Sequence, residues 1–508
     1  MLRFLTSSPA ARRFGLLLSI ALLISAATPV SSVEPGGDAV RPADPATFRR
    51  SEPADFSGLD RLEAFRRMHA RLSAEYAFTD WKHIDWSVLF ARSLPAIERA
   101  ARDDDPKAFR AALRAYVSGI DDGHVNLPRN DAVAPLDDAL LAERSGATFG
   151  LDLVGLDDGT VIVVRTTPDR PAARAGVPVG AEILRWNGRP IGEAVAAVDL
   201  GSLVAAARVA TDVHRRLERL RLIGRAPVGS VVEVDLRGPG AMGEQRIRLT
   251  AESDAPEALA GLAPRLDPHE QAITVRRIGD HGYIRLTALA DLSNLGAWPE
   301  AIWTAYATAL GDFTTASVRG LVLDIRGNHG GWDLLAMRIC GTLRRTSAFY
   351  EATEFYDAAA GGLRRLTVDD RSGEVVEVLT VEPEAPAFDG PVIALIDPMT
   401  ISSAEGLARC VLGRPGGETL GHYATRGSFG LAGGEIRLPD GNVVHYPDGR
   451  AVDAAGTVLI DSRDGIGGVA PSIRIPVTAE TALAEANGED VLLAAALRRL
   501  DAAPPSSP

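Results

Sequence analysis

The sequence predicts a multidomain α/β protein, and three observations carry that reading. At roughly 100–200 residues per domain, the 508 residues suggest about three domains. Apolar residues make up 46% of the chain and charged residues 24%, a globular balance that excludes disordered, collagen-like and disulfide-scaffold chains. The hydrophobic period changes twice, from helical spacing to short β runs and then to strands alternating with helices. The formal charge of −13 leaves no cationic surplus to neutralise a phosphate backbone, so nucleic acid is excluded as an expected partner. Of the 54 cationic residues only Lys82 and Lys107 are lysines, and the rest are Arg.

Residues 1–33 read as a signal peptide. Arg3, Arg12 and Arg13 precede an apolar run from Phe14 to Ala27, and small and polar residues follow from Thr28 to Ser32. The run is shorter than the roughly 20 residues that span a bilayer. The expected mature protein is exported, periplasmic or secreted, with no stable membrane anchor after processing. Residues 34–57, rich in Pro, Gly, Ala and Asp without periodicity, read as a linker.

Residues 58–145 read as an N-terminal helical domain. Leu62, Phe65, Met68, Leu72 and Tyr76 recur at helical spacing, as do Leu89, Leu94 and Ile97, and Phe109, Leu113 and Tyr116. Near the end of this domain lies Asp121-Asp122-Gly123-His124-Val125-Asn126-Leu127. Lys82 and Lys107 fall at polar positions and are expected at the solvated surface.

Residues 148–253 change to short β-like runs around Gly and Pro. Phe149-Gly150-Leu151-Asp152-Leu153 leads to a strand from Thr160 to Arg165, and Asn187-Gly188 marks a tight turn. Residues 268–503 alternate strands and helices, with buried strands at Gly320 to Ile325 and Val392 to Ile396. Helices are expected from Leu295 to Leu310, Leu334 to Leu343, Ala404 to Leu412 and Glu489 to Leu500. Cys340 and Cys410 sit in apolar helix-like stretches and read as buried thiols rather than as a bridge or metal site.

Ligands in open α/β sheets gather at the carboxyl ends of strands, and two strand exits carry chemistry there. The first is Asp324-Ile325-Arg326-Gly327-Asn328-His329-Gly330-Gly331, whose glycines let backbone amides approach a substrate oxygen. The second is Thr400-Ile401-Ser402-Ser403-Ala404-Glu405, where a strand gives way to a helix. Ser402 with Glu405 reads as a capping box, and equally as a nucleophile whose developing oxyanion the helix N-terminus stabilises. The His, Asp and Glu spacings hold no zinc-ligand pattern, and no metal or organic cofactor is implied.

Taken in order, these motifs resemble the C-terminal-processing and tricorn-like serine peptidases, and the segment from 148 to 253 resembles a PDZ domain. The resemblance implies a crotonase/ClpP-like α/β spiral core carrying a PDZ-like β domain and an N-terminal helical domain. It implies Ser402 as nucleophile and the amides of Gly330 and Ser403 as oxyanion donors. It also implies a peptide-binding loop at Phe149, Gly150, Leu151, Asp152 and Leu153. The processing branch places a Lys about 25 residues after its nucleophile, but here Ser428 stands at that position and no Lys follows residue 107. Arg426 cannot substitute, because a guanidinium stays protonated.

His124 matches the histidine of the tricorn-like branch and is the expected base, with His329, His422 and His445 as competitors. The acid that orients it falls in the segment holding Asp461 and Asp464, and Asp464 is the choice made from sequence. The function expected is an exported serine endopeptidase that hydrolyses proteins or peptides through a Ser nucleophile and a His base, with the PDZ-like domain recognising substrates, including through their C-termini. The alternative is a catalytically inactive peptide- or ligand-binding relative of the same fold.

Overall fold

The structure is a computed structural model that describes residues 40–201, 209–240, 243–254 and 271–502. The predicted signal peptide lies outside the described residues. Among those residues no helix is long and apolar enough to cross a membrane.

Four helices open the described chain: α1 (Arg61–Glu75), α2 (Trp86–Arg102), α3 (Pro106–Val117) and α4 (Ala134–Ser145). The first three begin at Asp60, Asp85 and Asp105, whose carboxylates accept the N–H of Glu63, Val88 and Ala108. Phe65, Met68 and Leu72 are fully buried, as the periodicity predicts. Their core is not closed by helices alone, because Ile436, Leu438, Val444 and Tyr446 from the far end of the chain complete it. Residues 40–57, expected as a linker, also lie on that distant sheet. Ala54–Asp55 pairs in parallel with Leu431–Arg437, and Arg50 meets Asp448 at 2.6 Å.

The middle segment is an antiparallel sheet in the order β1 (Leu151–Gly155), β2 (Val161–Thr166), β3 (Glu182–Trp186), β4 (Val231–Arg237) and β5 (Gln245–Thr250). Asn187 and Gly188, at φ 50 and 75, form the expected turn after β3. Helices α5 (Pro171–Arg174), α6 (Ile191–Ala196) and α7 (Asp212–Ile223) pack around the sheet.

The last segment carries a sheet of β6 (Ile273–Ile278), β7 (His281–Leu286), β8 (Gly320–Asp324), β9 (Val392–Leu395), β10 (Gly417–Gly421) and β11 (Ile473–Arg474). Its first pair is antiparallel and the rest are parallel. Helices α8 (Glu300–Thr315), α9 (Asp333–Thr342), α10 (Ser403–Leu412) and α11 (Val491–Ala502) accompany it. The helix α8 starts five residues later than predicted, directly after Pro299. A second sheet, with Ala348–Asp357 and Val443–Val452 at its centre, was not anticipated from the sequence and is the one the N-terminal helices cover.

Cys340 and Cys410, expected as separate thiols, are disulfide-bonded, with Cα atoms 6.2 Å apart. They sit on α9 and α10, and their separation of 70 residues gives no local sign of the pairing.

Candidate active site

The parallel pairing of β8 and β9 sets Asp324 beside Leu395, so the loops that follow leave the sheet at one place. Hydrogen bonds sew these loops together. Thr400 Oγ1 donates to Ile325 O at 2.9 Å, Gly327 N–H to Asp397 Oδ1 at 3.0 Å, and Ile401 N–H to Asn328 O at 3.1 Å. The Gly-rich exit and the Ser402 turn therefore form one rigid mouth.

Ser402 sits at φ 62 and ψ −137, a left-handed backbone that non-glycine residues rarely adopt and that accumulates at functional turns. What holds it is Glu405, which is fully buried. One carboxylate oxygen accepts Thr425 Oγ1 at 2.6 Å and Gly427 N–H at 2.7 Å. The other accepts Ser428 N–H at 2.9 Å and Ser402 N–H at 3.2 Å. The last contact is the reach-back half of the expected capping box. Burial pushes the Glu405 pKa up while these donors pull it down. Arg426 is buried as well. Its Nε donates to Pro398 O at 3.2 Å, which staples the turn just before the serine.

The His124 segment comes to the same place from the N-terminal helices. Gly123 N–H donates to Ser428 Oγ at 2.8 Å, and Ser428 O accepts Ser402 N–H at 3.0 Å. A Cβ on Gly123 would stand 2.8 Å from Ile401 Cδ1 and 2.8 Å from Ser428 Oγ, so a larger residue there would push on the side chains of the serine turn. Asp122 is fully buried, with Oδ2 accepting Tyr76 Oη at 2.7 Å and Oδ1 accepting His124 N–H at 2.8 Å. His124 Nδ1 lies 3.9 Å from the same Oδ1. Asp461, also buried, accepts Phe429 N–H on Oδ2 at 3.1 Å, and its Oδ1 has no partner among the described residues. Burial pushes the Asp461 pKa well up, the Lys82 ammonium draws it down, and Asp122 and Glu405 push it up further.

Four expectations are corrected here. Asp464 is 70% exposed on a turn at φ 52 with Arg463 3.7 Å away, so the buried carboxylates of the site are Asp122 and Asp461 instead. The Gly330 N–H, expected as an oxyanion donor, is directed to Asn328 Oδ1 at 2.8 Å. Gly330 still matters sterically, since a Cβ there would lie 2.6 Å from Ser402 Cβ. Lys82, expected at the solvated surface, reaches Asp121 O and Ser462. Within the predicted peptide-binding loop, Phe149 N–H donates to Gly224 O at 3.0 Å and Gly150 N–H to Thr148 Oγ1 at 2.9 Å, so both amides are bound inside the domain. Leu151 and Leu153 are buried in β1, and Asp152 pairs with Arg165.

The other residues fall as follows. Ser403 opens α10, where the first N–H groups of a helix have no intrahelical acceptor. His422 is held by Ile475 O at 2.8 Å and Glu485 at 2.9 Å, on the side of the C-terminal helices. His445 bridges its backbone to Asn126, and His329 donates its N–H to Thr287 O at 3.0 Å.

Residues 280–475 match the model of Peptidase family S41. Over 242 residues the chain is 24% identical to the carboxy-terminal processing protease CtpB of Bacillus subtilis (strain 168), a match that covers 48% of this chain and only 42% of that relative. The solved structure of mature CPAF aligns with a TM-score of 0.56 at 16% identity, covering 87% of this chain and 98% of that one. Mature CPAF complexed with lactacystin aligns with the same TM-score at 15% identity, covering 87% and 97%. These two likenesses are of fold. With its mouth of Gly-rich loop and strained serine turn, the α/β core of this chain is similar to peptidase family S41 over residues 280–475.

Proposed function

We propose that this protein is an exported serine peptidase that hydrolyses polypeptides through Ser402 and His124. One observation carries the reading: Ser402 occupies a strained turn at a helix N-terminus, and Ser428 links that turn to the segment bearing His124. In this mechanism the imidazole takes the proton from Ser402 as the hydroxyl attacks the peptide carbonyl, and returns it to the leaving amine. The Ser403 N–H and the dipole of α10 stabilise the oxyanion. Asp122 orients the imidazole, because its Oδ1 lies 3.9 Å from His124 Nδ1 and a carboxylate oxygen that accepts the His124 N–H can accept a second hydrogen bond. The disulfide supports an oxidising compartment and hence export.

Substrate selection falls to the β domain, read as PDZ-like. Strand β1 is an end strand of its sheet, and α7 packs against it. Helix α7 also reaches the site: Arg215 pairs with Asp121 at 2.7 Å and Asp212 N–H donates to Gly465 O at 2.9 Å. The name of the B. subtilis relative favours substrates cut near their carboxyl termini.

The bond between Gly330 N–H and Asn328 favours a second reading, a catalytically silent peptide-binding relative, because it removes one expected oxyanion donor. A fluorophosphonate probe separates the two. Labelling of folded wild-type protein that is lost in Ser402→Ala, together with peptide cleavage, supports the peptidase, whereas no labelling supports the binder.

A further inference from the structure

The turn between α1 and α2 carries Lys82, one of two lysines among 54 cationic residues. Its Nζ donates to Asp121 O at 3.0 Å, to Ser462 O at 3.0 Å and to Ser462 Oγ at 2.8 Å. The three acceptors match the three donors of an ammonium, so the hydrogen-bonding capacity of Lys82 is used on these loops. A planar guanidinium cannot converge on so small a set of acceptors. That is a physical reason for lysine here in a chain that otherwise uses arginine.

The acceptors belong to the two loops that meet at the site. Asp121 is three residues before His124 on the same segment. Ser462 follows Asp461, and its N–H donates to Gly427 O at 2.9 Å, beside the Gly427 and Ser428 amides that hold Glu405. We infer that Lys82 is a positioning residue: its ammonium ties the segment bearing His124 to the loop bearing Asp461. Its effect on turnover rests on the peptidase reading above, whereas the tie itself does not.

Charge adds to geometry. Asp122, Asp461 and Glu405 are all buried around this point, and the Tyr76 hydroxyl joins them. Other cations nearby are the buried Arg426, which donates to Pro398 O and lies close enough to Glu405 to lower its pKa, Arg215 on Asp121, and Arg463 over Trp81 at 5.0 Å. Removing Lys82 would loosen the tie and leave buried carboxylates without its charge.

The test uses the full chain with Lys82→Met, Lys82→Arg and, as control, Lys107→Met, whose lysine pairs with Glu143 at the surface. Lys82→Met is expected to lower kcat about tenfold or more with KM changed less than about twofold. Amide exchange across residues 121–126 should accelerate about tenfold with little change elsewhere. Lys82→Arg keeps the charge without the convergent donors and should recover only part of kcat, and Lys107→Met should match wild type. Unchanged kcat and unchanged local exchange in Lys82→Met would overturn the inference, and so would acceleration spread uniformly over the chain. If Lys82→Met does not fold, the same two readouts on Lys82→Arg decide. If wild type cleaves nothing, the peptidase reading has failed, and local exchange in Lys82→Met still decides the tie.

Discussion

Gly123 N–H donates to Ser428 Oγ at 2.8 Å across a sequence separation of 305 residues. Ser428 is thus a spacer between two chain segments. Ser428→Ala removes the only side-chain atom in that role. It should cost about 1 kcal/mol of stability by leaving a buried N–H unpaired, and lower kcat about fivefold. Thermal unfolding and steady-state kinetics check both, and an unchanged kcat would show that the spacing does not depend on this bond.

Gly330 is at φ 76, and an added Cβ would lie 2.6 Å from Ser402 Cβ and 2.8 Å from Ile401 O. Gly330→Ala is therefore expected to displace the Ser402 side chain and, on the proposed peptidase reading, lower kcat about a hundredfold. Phosphonate labelling rates give an independent reading of the same displacement.

Asp122→Asn and Asp464→Asn separate the buried carboxylate beside the imidazole from the exposed one. The first should lower kcat about 10³-fold, as expected when an imidazole loses the carboxylate that orients it. The second, on a 70% exposed side chain, should leave kcat within about twofold. The reverse order would return the role to Asp464.

Asp333 begins α9 and accepts Tyr350 Oη at 2.9 Å. Burial pushes its pKa up from 3.8 to about 7. The folded state therefore holds a proton that the unfolded chain releases. The stability that this contributes is complete below about pH 4 and is lost as pH rises through about 7. Melting of wild type should fall across this window, and Asp333→Asn, which keeps an acceptor for Tyr350, should flatten the fall.

Much of the fold is legible in the sequence. Phe65, Met68 and Leu72 on one helical face, and continuous apolar runs at Gly320–Asp324 and Val392–Leu395, report burial through local period alone. Motif order alone singles out Ser402 and His124 as candidates, and the fold brings their segments together through Ser428. Lys82, Asp461 and the disulfide are not legible, because each depends on a contact that no local pattern encodes. Lys82 meets Ser462 across 380 residues, and nothing around Trp81-Lys82-His83 distinguishes a surface turn from a buried tie. Asp461 and Asp464 share one short polar loop, and only its folded path turns one inward and the other out.

The shared core of N-terminal helices and distant sheet bears on how the chain is made. Phe65 and Leu72 are synthesised early, but Ile436, Val444 and Tyr446 that cover them follow much later, and the Tyr446 hydroxyl closes on Glu75 across 371 residues. The helical core therefore cannot close as its own helices emerge from the ribosome, since closing so long a loop must wait until the strand bearing Tyr446 has been made. The helices are born early and completed late, and until then their apolar face needs shelter from premature association.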